Sequence, residues 1–507
     1  MKINIIGAGV AGLSAGCYLR MNGFETEIFE KHSRPGGLCT SWKRGEYTFD
    51  GCIHWLLGSN PSNPFYLLWS ELIDMSTIEF RNHEVRMDIE VKDNRDRYGK
   101  SVFHLYTDLN KLSAYLVDLA PEDTPVIKKL IRSMRKMQGY EIPPMIRSVP
   151  SLLPFWQKIK YVKHLPLLIF MMRWQKQTNF TYAGKLKNPF LKEAFQLLFD
   201  GNEVPLLVIT MPLAFNDKSG VGYPVGGSLN FTRKIEERYL ALGGKIRYNS
   251  AVDEIIIEKN RATGVVLSDG TRIPSGITIS AADWHYTLFT ALKGKYTDKR
   301  ILALKEHRSL EVYHSFFFLS LGVSLSFKEF PHMLRFPLTK DLVSPDGTTY
   351  SRMELHCYNY DPTLAPEGKC VVTVKYSSKN GDYWIGLRSS DPEEYKRQKN
   401  AFAEEIIVIL EEKFGRIRDA IEEMDIATPA TWHRYTNNWQ GSTQGWLPGK
   451  NFISASPVNA VIPGLQNFYL AGQWTQPGGG LPVAIKSART VAQMICHRFH
   501  KPFVVPE

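Results

Sequence analysis

The chain has 507 residues, a formal charge of +11, 43% hydrophobic and 12% aromatic residues, and no visible repeat or low-complexity tract. That composition excludes a disordered or fibrous protein, and the length exceeds one ordinary core, so two domains are expected. The six cysteines (Cys17, Cys39, Cys52, Cys357, Cys370, Cys496) have no C-x-x-C spacing, which argues against a zinc site or redox dithiol and for a reducing compartment.

In chain order, Lys2 to Ile6 predicts a strand, and Gly7, Gly9 and Gly12 form G-x-G-x-x-G at the start of a helix that runs to about Asn22. Gly23 then stops the helix, Phe24 to Phe29 predicts the next strand, and Glu30 closes it. Strand, glycine loop, helix and terminal acid together are the context that a dinucleotide fingerprint requires. Gly7 serves the tight turn, Gly9 lets backbone approach a pyrophosphate and is expected at positive φ, and Gly12 lets the helix pack on the strand. The helix N-terminus offers free N–H groups and positive potential to phosphate, and Glu30 can accept from ribose hydroxyls. Glu30-Lys31-His32-Ser33-Arg34-Pro35-Gly36-Gly37-Leu38 follows, then Asp50-Gly51-Cys52-Ile53-His54-Trp55. His54 fits two roles, a proton donor or a structural histidine.

Between Lys128 and Lys176 stand eleven Lys and Arg against one acid, Glu141, interleaved with apolar residues that include Tyr140, Met145, Leu152, Leu153, Phe155, Trp156, Leu165 to Met172 and Trp174. This pattern fits an interfacial helix on an anionic membrane, or a helical lid with a solvated basic side; no nucleic-acid motif accompanies it. No apolar run approaches the roughly 20 residues that cross a bilayer. With the first strand starting at residue 2, no cleavable signal is expected, and the expected location is cytoplasmic, peripherally on a membrane.

Tyr223-Pro224-Val225-Gly226-Gly227-Ser228-Leu229 opens a helix that Gly243-Gly244 ends. Lys245 to Tyr248, Val252 to Glu258, Gly264 to Leu267 and Ile277 to Ala281 predict strands, with a turn at Asp269-Gly270. Strand patterns at Tyr313 to Leu321 and Cys370 to Ser377 precede a helix near Asp391 to Phe414, with Pro392 at its first position. Lys375 reads best as an edge-strand lysine. Trp439, Trp446, Trp474 and Tyr435 either clamp a flat ligand or belong to the core. Asn467 to Ala471 predicts a last buried strand, followed by Gly472-Gln473-Trp474-Thr475-Gln476-Pro477-Gly478-Gly479-Gly480-Leu481-Pro482 and a helix.

The segment from Glu30 to Leu38 resembles the second signature of the FAD-dependent amine oxidase and phytoene desaturase superfamily, and Gly472 to Pro482 resembles its third. Leu38 stands where many relatives carry a phosphate-binding Arg, for which Arg34 either substitutes or is a solvated turn residue; Gln473 stands where many have Asp or Glu. The Y-P-x-G-G and P-G-G-G-x-P segments resemble the carotenoid desaturase, carotenoid isomerase and retinol saturase branch. The resemblance implies an α/β chain with a glutathione reductase-like Rossmann FAD domain assembled from 1–106, 205–292 and 426–507. Residues 107–204 and 293–425 would build a mixed α+β substrate domain with the basic, apolar helical insertion. It further implies non-covalent FAD held by Gly7, Gly9, Gly12, Glu30, Lys31, Gly36, Gly37, Leu38, Val252, Gly472, Gln473, Gly480, Leu481 and Pro482, with His54 and Trp474 as catalytic candidates and no metal. The implied activity is redox or cis–trans chemistry on carbon–carbon bonds of an apolar polyene or isoprenoid lipid drawn from an anionic membrane surface. A flavin amine oxidase and a non-catalytic FAD-binding membrane protein are the alternatives.

Overall fold

A computed structural model describes residues 1–138, 149, 152, 159–199, 201–449 and 457–506. The strands Lys245–Arg247, Glu25–Phe29, Lys2–Ile6, Ile277–Ser280 and Phe468–Leu470 lie side by side in that order, every pair parallel. Their central members are almost wholly buried, as expected of a parallel sheet covered by helices on its faces. Val10–Met21 packs between Gly480–Arg498 and Gly227–Ala241, so elements of the segments 1–106, 205–292 and 426–507 meet at one sheet. The D-G turn does join two strands of a small antiparallel sheet, Val252–Glu258, Arg261–Leu267 and Arg272–Pro274.

A second sheet has seven strands, in the order Ile421–Ala427, Ser315–Val323, Cys370–Ser378, Thr349–Cys357, Met333–Val343, Val85–Glu90 and Val102–Tyr106. Side chains alternate across a strand. Phe317, Leu319, Met353, Leu355, Val372 and Val374 therefore share one face, where they form a core with Phe402, Ile406 and Leu410 of the helix Pro392–Phe414. Asp391 caps that helix by accepting the Glu394 N–H at 3.0 Å. Residues 85–106, grouped by the sequence with the cofactor segment 1–106, are two strands of this second sheet. Lys375 lies on an interior strand, paired on both sides, and not on an edge. Its face, opposite to the apolar core, is what the expectation missed.

The insertion is helical: Leu109–Leu119, Thr124–Gln138, Leu165–Trp174, Asn179–Ala183, Pro189–Gln196 and Leu207–Asn216 share one core. Thr124–Gln138 buries Ile127, Leu130, Ile131, Met134 and Met137 and turns Lys128, Lys129, Arg132, Arg135 and Lys136 outward. Leu165–Trp174 differs, because Leu165, Leu168, Ile169 and Met172 are exposed, continuing Ile159 and Val162. Of the basic stretch, Tyr140, Glu141, Met145, Arg147, Leu153, Phe155, Trp156 and Lys158 lie outside the described residues. No described helix is long and apolar enough to cross a membrane.

Candidate active site

The glycine loop and the Gly-Gly turn support each other. Gly7, at φ +95°, donates its N–H to the Phe29 carbonyl at 2.8 Å. A Cβ on Gly12 would sit 1.9 Å from the Gly7 carbonyl oxygen, so helix and loop touch backbone to backbone there. Gly9 has φ −69°, not the positive value expected, and a Cβ on it would meet only the Gly36 oxygen, at 3.8 Å. Its need for glycine is thus set by what occupies the cavity in front of it. Gly36 donates to the Ala8 carbonyl at 2.9 Å, fixing Gly36 and Gly37 against the loop. The helix Val10–Met21 has no side-chain cap, which leaves its first N–H groups directed at the cavity.

Glu30 is buried, and accepts the Ala8 N–H at 2.6 Å and the His32 N–H at 2.8 Å. Burial raises its carboxyl above the usual range. Lys31 donates to Asn437 Oδ1, and Leu38 lines the same wall. Arg34 does not reach that wall; it donates to the Ser41 carbonyl at 3.1 Å. Val252 is buried beside the loop, and its carbonyl accepts the Tyr286 hydroxyl at 2.6 Å. At the other end of the chain, Gly472 (φ +125°) donates to Ser487 Oγ at 2.8 Å. A Cβ on Gly479 would lie 1.9 Å from the Gln444 oxygen, which fixes the start of the helix at Gly480, Leu481 and Pro482.

Gly7, Gly9, Glu30, Lys31, Gly36, Gly37, Leu38, Val252, Gly472, Gly480, Leu481 and Pro482 line one cavity of about 1170 Å³, together with Gln473, His54 and Trp474, whereas Gly12 packs beneath the loop and Arg34 lies outside. Small-molecule sites usually occupy about 300–1,000 Å³, so this cavity has room for a dinucleotide and a second ligand. It continues past the glycines to Leu167, Met171, Leu207, Val208, Met211 and Phe215 of the helical insertion.

The Asp50–Trp55 loop is held by Asp50. Its buried carboxylate accepts Ser228 Oγ–H at 2.6 Å, Ser41 Oγ–H at 3.0 Å and the Cys52 N–H at 3.0 Å, tying the loop to the start of the helix Gly227–Ala241. His54 follows; its Nδ1 lies 3.2 Å from the Tyr358 hydroxyl, and its ring stacks on His356 at 4.2 Å. Burial pushes its imidazolium pKa well down, so it acts as a neutral imidazole. Trp474 packs against Trp446 at 5.2 Å, with Trp284 and Trp439 completing the cluster. The Trp474 ring is 4% exposed and shapes the wall from within the core. Tyr435 is not part of this cluster and meets His32 edge-on at 4.8 Å.

The sequence reading missed a polar row on the cavity face of the second sheet. Arg335 stands opposite Glu354 across two strands and is bonded to it; His356 Nε2 lies 2.8 Å from the other Glu354 oxygen. Lys375 is on the next strand, its Nζ 4.1 Å from the Phe316 ring centroid. Arg335 and His356 hold the Glu354 carboxyl well below the usual carboxylate range despite burial. The polar alternation Arg352, Glu354, His356 in one strand was the available signal.

Residues 5–72 match the family model of an NAD(P)-binding Rossmann-like domain. Almost end to end, the chain is similar to a 4,4'-diapophytoene desaturase (4,4'-diapolycopene-forming) of Methylomonas, with 25% identity over 99% of this chain and 96% of that protein. It is also 25% identical to a chloroplastic prolycopene isomerase of Arabidopsis thaliana, over 94% of this chain and 79% of that one. Among solved structures, the cyclohexylamine oxidase of Brevibacterium oxydans shares the fold at a TM-score of 0.55 and 15% identity, covering 99% of each chain. Sheet, loops and cavity define a Rossmann-like FAD-binding fold joined to a mixed sheet-and-helix layer. Within that class the chain resembles phytoene and diapophytoene desaturases and prolycopene isomerases.

Proposed function

We propose that this chain is an FAD-dependent oxidoreductase acting on carbon–carbon bonds of an apolar polyene or isoprenoid lipid; desaturation, saturation and cis–trans isomerisation are the reactions covered. The observation that carries this reading is the single cavity that begins at the dinucleotide loops and ends among the apolar helices of the insertion. Gly7, Gly9, Gly36 and Gly37 would receive the pyrophosphate, Glu30 a ribose, and Val252 the adenine side. Gly472 and Gln473 would meet the ribityl chain, with Gly480, Leu481 and Pro482 at the ring. Gln473 can donate and accept, so the amide serves a hydroxyl as well as an acid would. Bound flavin supplies the hydride chemistry, and the protein supplies orientation, electrostatics and a dry site. His54, neutral and held beside Tyr358, can hold or pass a proton at Nδ1 or Nε2. Burial of each methylene contributes about 0.8 kcal/mol, enough for an apolar wall to capture a long chain. On the sheet wall Arg86, Arg335 and Lys375 outnumber the one carboxylate, Glu354, which disfavours an ammonium there and argues against the amine oxidase alternative.

Since no His or Cys lies between Gly472 and Pro482, the protein is expected to purify yellow and to release free FAD into the supernatant on acid precipitation. Flavin remaining with the pellet would contradict non-covalent binding, and a colourless protein that takes up no FAD would end the reading.

Delivery from a membrane is supported by the exposed stripe Ile159, Val162, Leu165, Leu168, Ile169 and Met172, flanked by Lys163 and Arg173, which runs onto the helix Leu165–Trp174 whose Leu167 and Met171 line the cavity. Salt-sensitive binding to anionic liposomes is expected. Each Lys→Glu change at 158, 160 and 163 should weaken it more than about fivefold, since losing one basic residue near such a surface costs about 1 kcal/mol and the added carboxylate is repelled as well. Equal sedimentation with neutral and anionic vesicles, unmoved by these changes, would remove the membrane from the proposal.

A further inference from the structure

The hydrocarbon reading leaves part of the cavity unexplained. One wall is apolar helix, but the facing wall is the polar side of the seven-stranded sheet. Across its strands the register sets Phe318 against Lys375, and Arg335 against Glu354. Leu355 pairs with Val374, so Glu354 and Lys375 are the next positions along those two strands. Arg86, on the neighbouring strand, reaches the same wall, with its guanidinium 4.4 Å over the Trp55 ring. Three cations thus face the cavity from this sheet against one carboxylate, and Arg335 already engages it. Among the described residues, neither Arg86 nor Lys375 has a carboxylate at ion-pair distance; aromatic faces are their near neighbours.

Histidines extend the row. His83 stacks on His332 at 3.6 Å, and His83 Nε2 is buried without a hydrogen-bond partner among the described residues. Both rings line the cavity. Buried cations are costly beside pure hydrocarbon and favourable beside an anion, and the orphaned His83 nitrogen suits an anion in the tautomer that places its N–H there. Arg335 Nη1 also donates to the Leu197 carbonyl at 2.8 Å, next to Leu198 and Phe199 of the apolar wall, so the charged and greasy surfaces adjoin.

We propose that the lipid taken by this site ends in a carboxylate, received by Lys375 and Arg86 on the sheet wall while its apolar chain lies along the helical insertion. This inference rests on the apolar-lipid reading and narrows it from a hydrocarbon to a chain acid. A hydrogen bond to a charged group contributes enough for about a tenfold or larger preference.

The test titrates the FAD-loaded protein with geranylgeranoic acid, its methyl ester and squalene, following the flavin difference spectrum. The acid should bind at least about tenfold more tightly than the ester. Lys375→Met and Arg86→Met should each abolish that preference at unchanged FAD content, and Lys375→Arg should keep it, which separates loss of charge from loss of fold. Ester or squalene binding as tightly as the acid would overturn the chain-acid inference and leave the apolar-lipid reading standing. Binding of none of the three, with flavin in place, would overturn both. A Lys375→Met variant that shifts the flavin midpoint potential, with acid and ester bound equally, would assign the row to the reduced cofactor instead and overturn the inference.

Discussion

Gly9→Val is expected to yield a folded protein without flavin, whereas Gly12→Val is expected to prevent folding. The contrast follows from what a new Cβ meets. At Gly9 the backbone is at φ −69°, open to any residue, and the nearest atom is 3.8 Å away. The valine side chain therefore fits the polypeptide and intrudes only on the space in front of the helix N-terminus, where a pyrophosphate would approach the backbone. At Gly12 the Cβ would be 1.9 Å from the Gly7 oxygen and 3.4 Å from Ala281 Cβ, so the helix must leave the sheet. Circular dichroism and flavin content separate the outcomes. Gly9→Val with wild-type FAD content would show that this loop does not hold the cofactor.

The stability that Asp283 contributes should fall as pH rises from about 4 to about 7, so the difference between wild type and Asp283→Asn should shrink across that window. Asp283 is 1% exposed, and accepts the Tyr286 N–H at 2.8 Å and the Trp439 N–H at 3.0 Å. Desolvation outweighs these bonds and lifts its carboxyl from 3.8 to about 7. The folded state therefore binds a proton that the unfolded state has released across that window. By linkage the contribution is complete below about pH 4 and lost by about pH 7, a span worth about 4 kcal/mol. The asparagine does not titrate, so wild-type stability relative to the variant should be highest at pH 4 and fall by about 4 kcal/mol by pH 8. Denaturant titrations of the FAD-loaded proteins at pH 4, 5, 6, 7 and 8 measure this. A difference between wild type and variant that stays constant from pH 4 to pH 8 would show that Asp283 does not titrate in this way.

Much of the cofactor half was legible because its determinants are local. Gly7, Glu30, Gly36 and Gly472 each act within a few residues of a strand end, where turn chemistry and burial leave a motif. The sequence could not say that Gly9 has ordinary backbone geometry, since its glycine is required by the space before it and not by its own φ. Lys375 was misread for a related reason. Its neighbours Val372, Val374 and Tyr376 face a core, but what Lys375 faces depends on Glu354 and Arg335 arriving from other strands. The same holds for Asp50, whose partner Ser228 lies 178 positions away. Strand pairing at such separation has no local signature. The basic stretch divided in the fold: Thr124–Gln138 exposes a basic side over a buried apolar one, and Leu165–Trp174 presents apolar side chains to both cavity and exterior.

The most direct test of the central claim is anaerobic mixing of the FAD-loaded protein with polyene lipids and, separately, with primary amines, while following the flavin band and the lipid products. The account predicts exchange with the lipid. Oxidised flavin bleaches with a lipid donor, reduced flavin recovers with a polyene acceptor, or lipid isomerises only when the flavin is reduced and with no net change in its absorbance. Rapid bleaching by a primary amine or polyamine with no reaction of any lipid would contradict the account and make this an amine oxidase; no reaction with either would make it a flavin-binding protein without this chemistry.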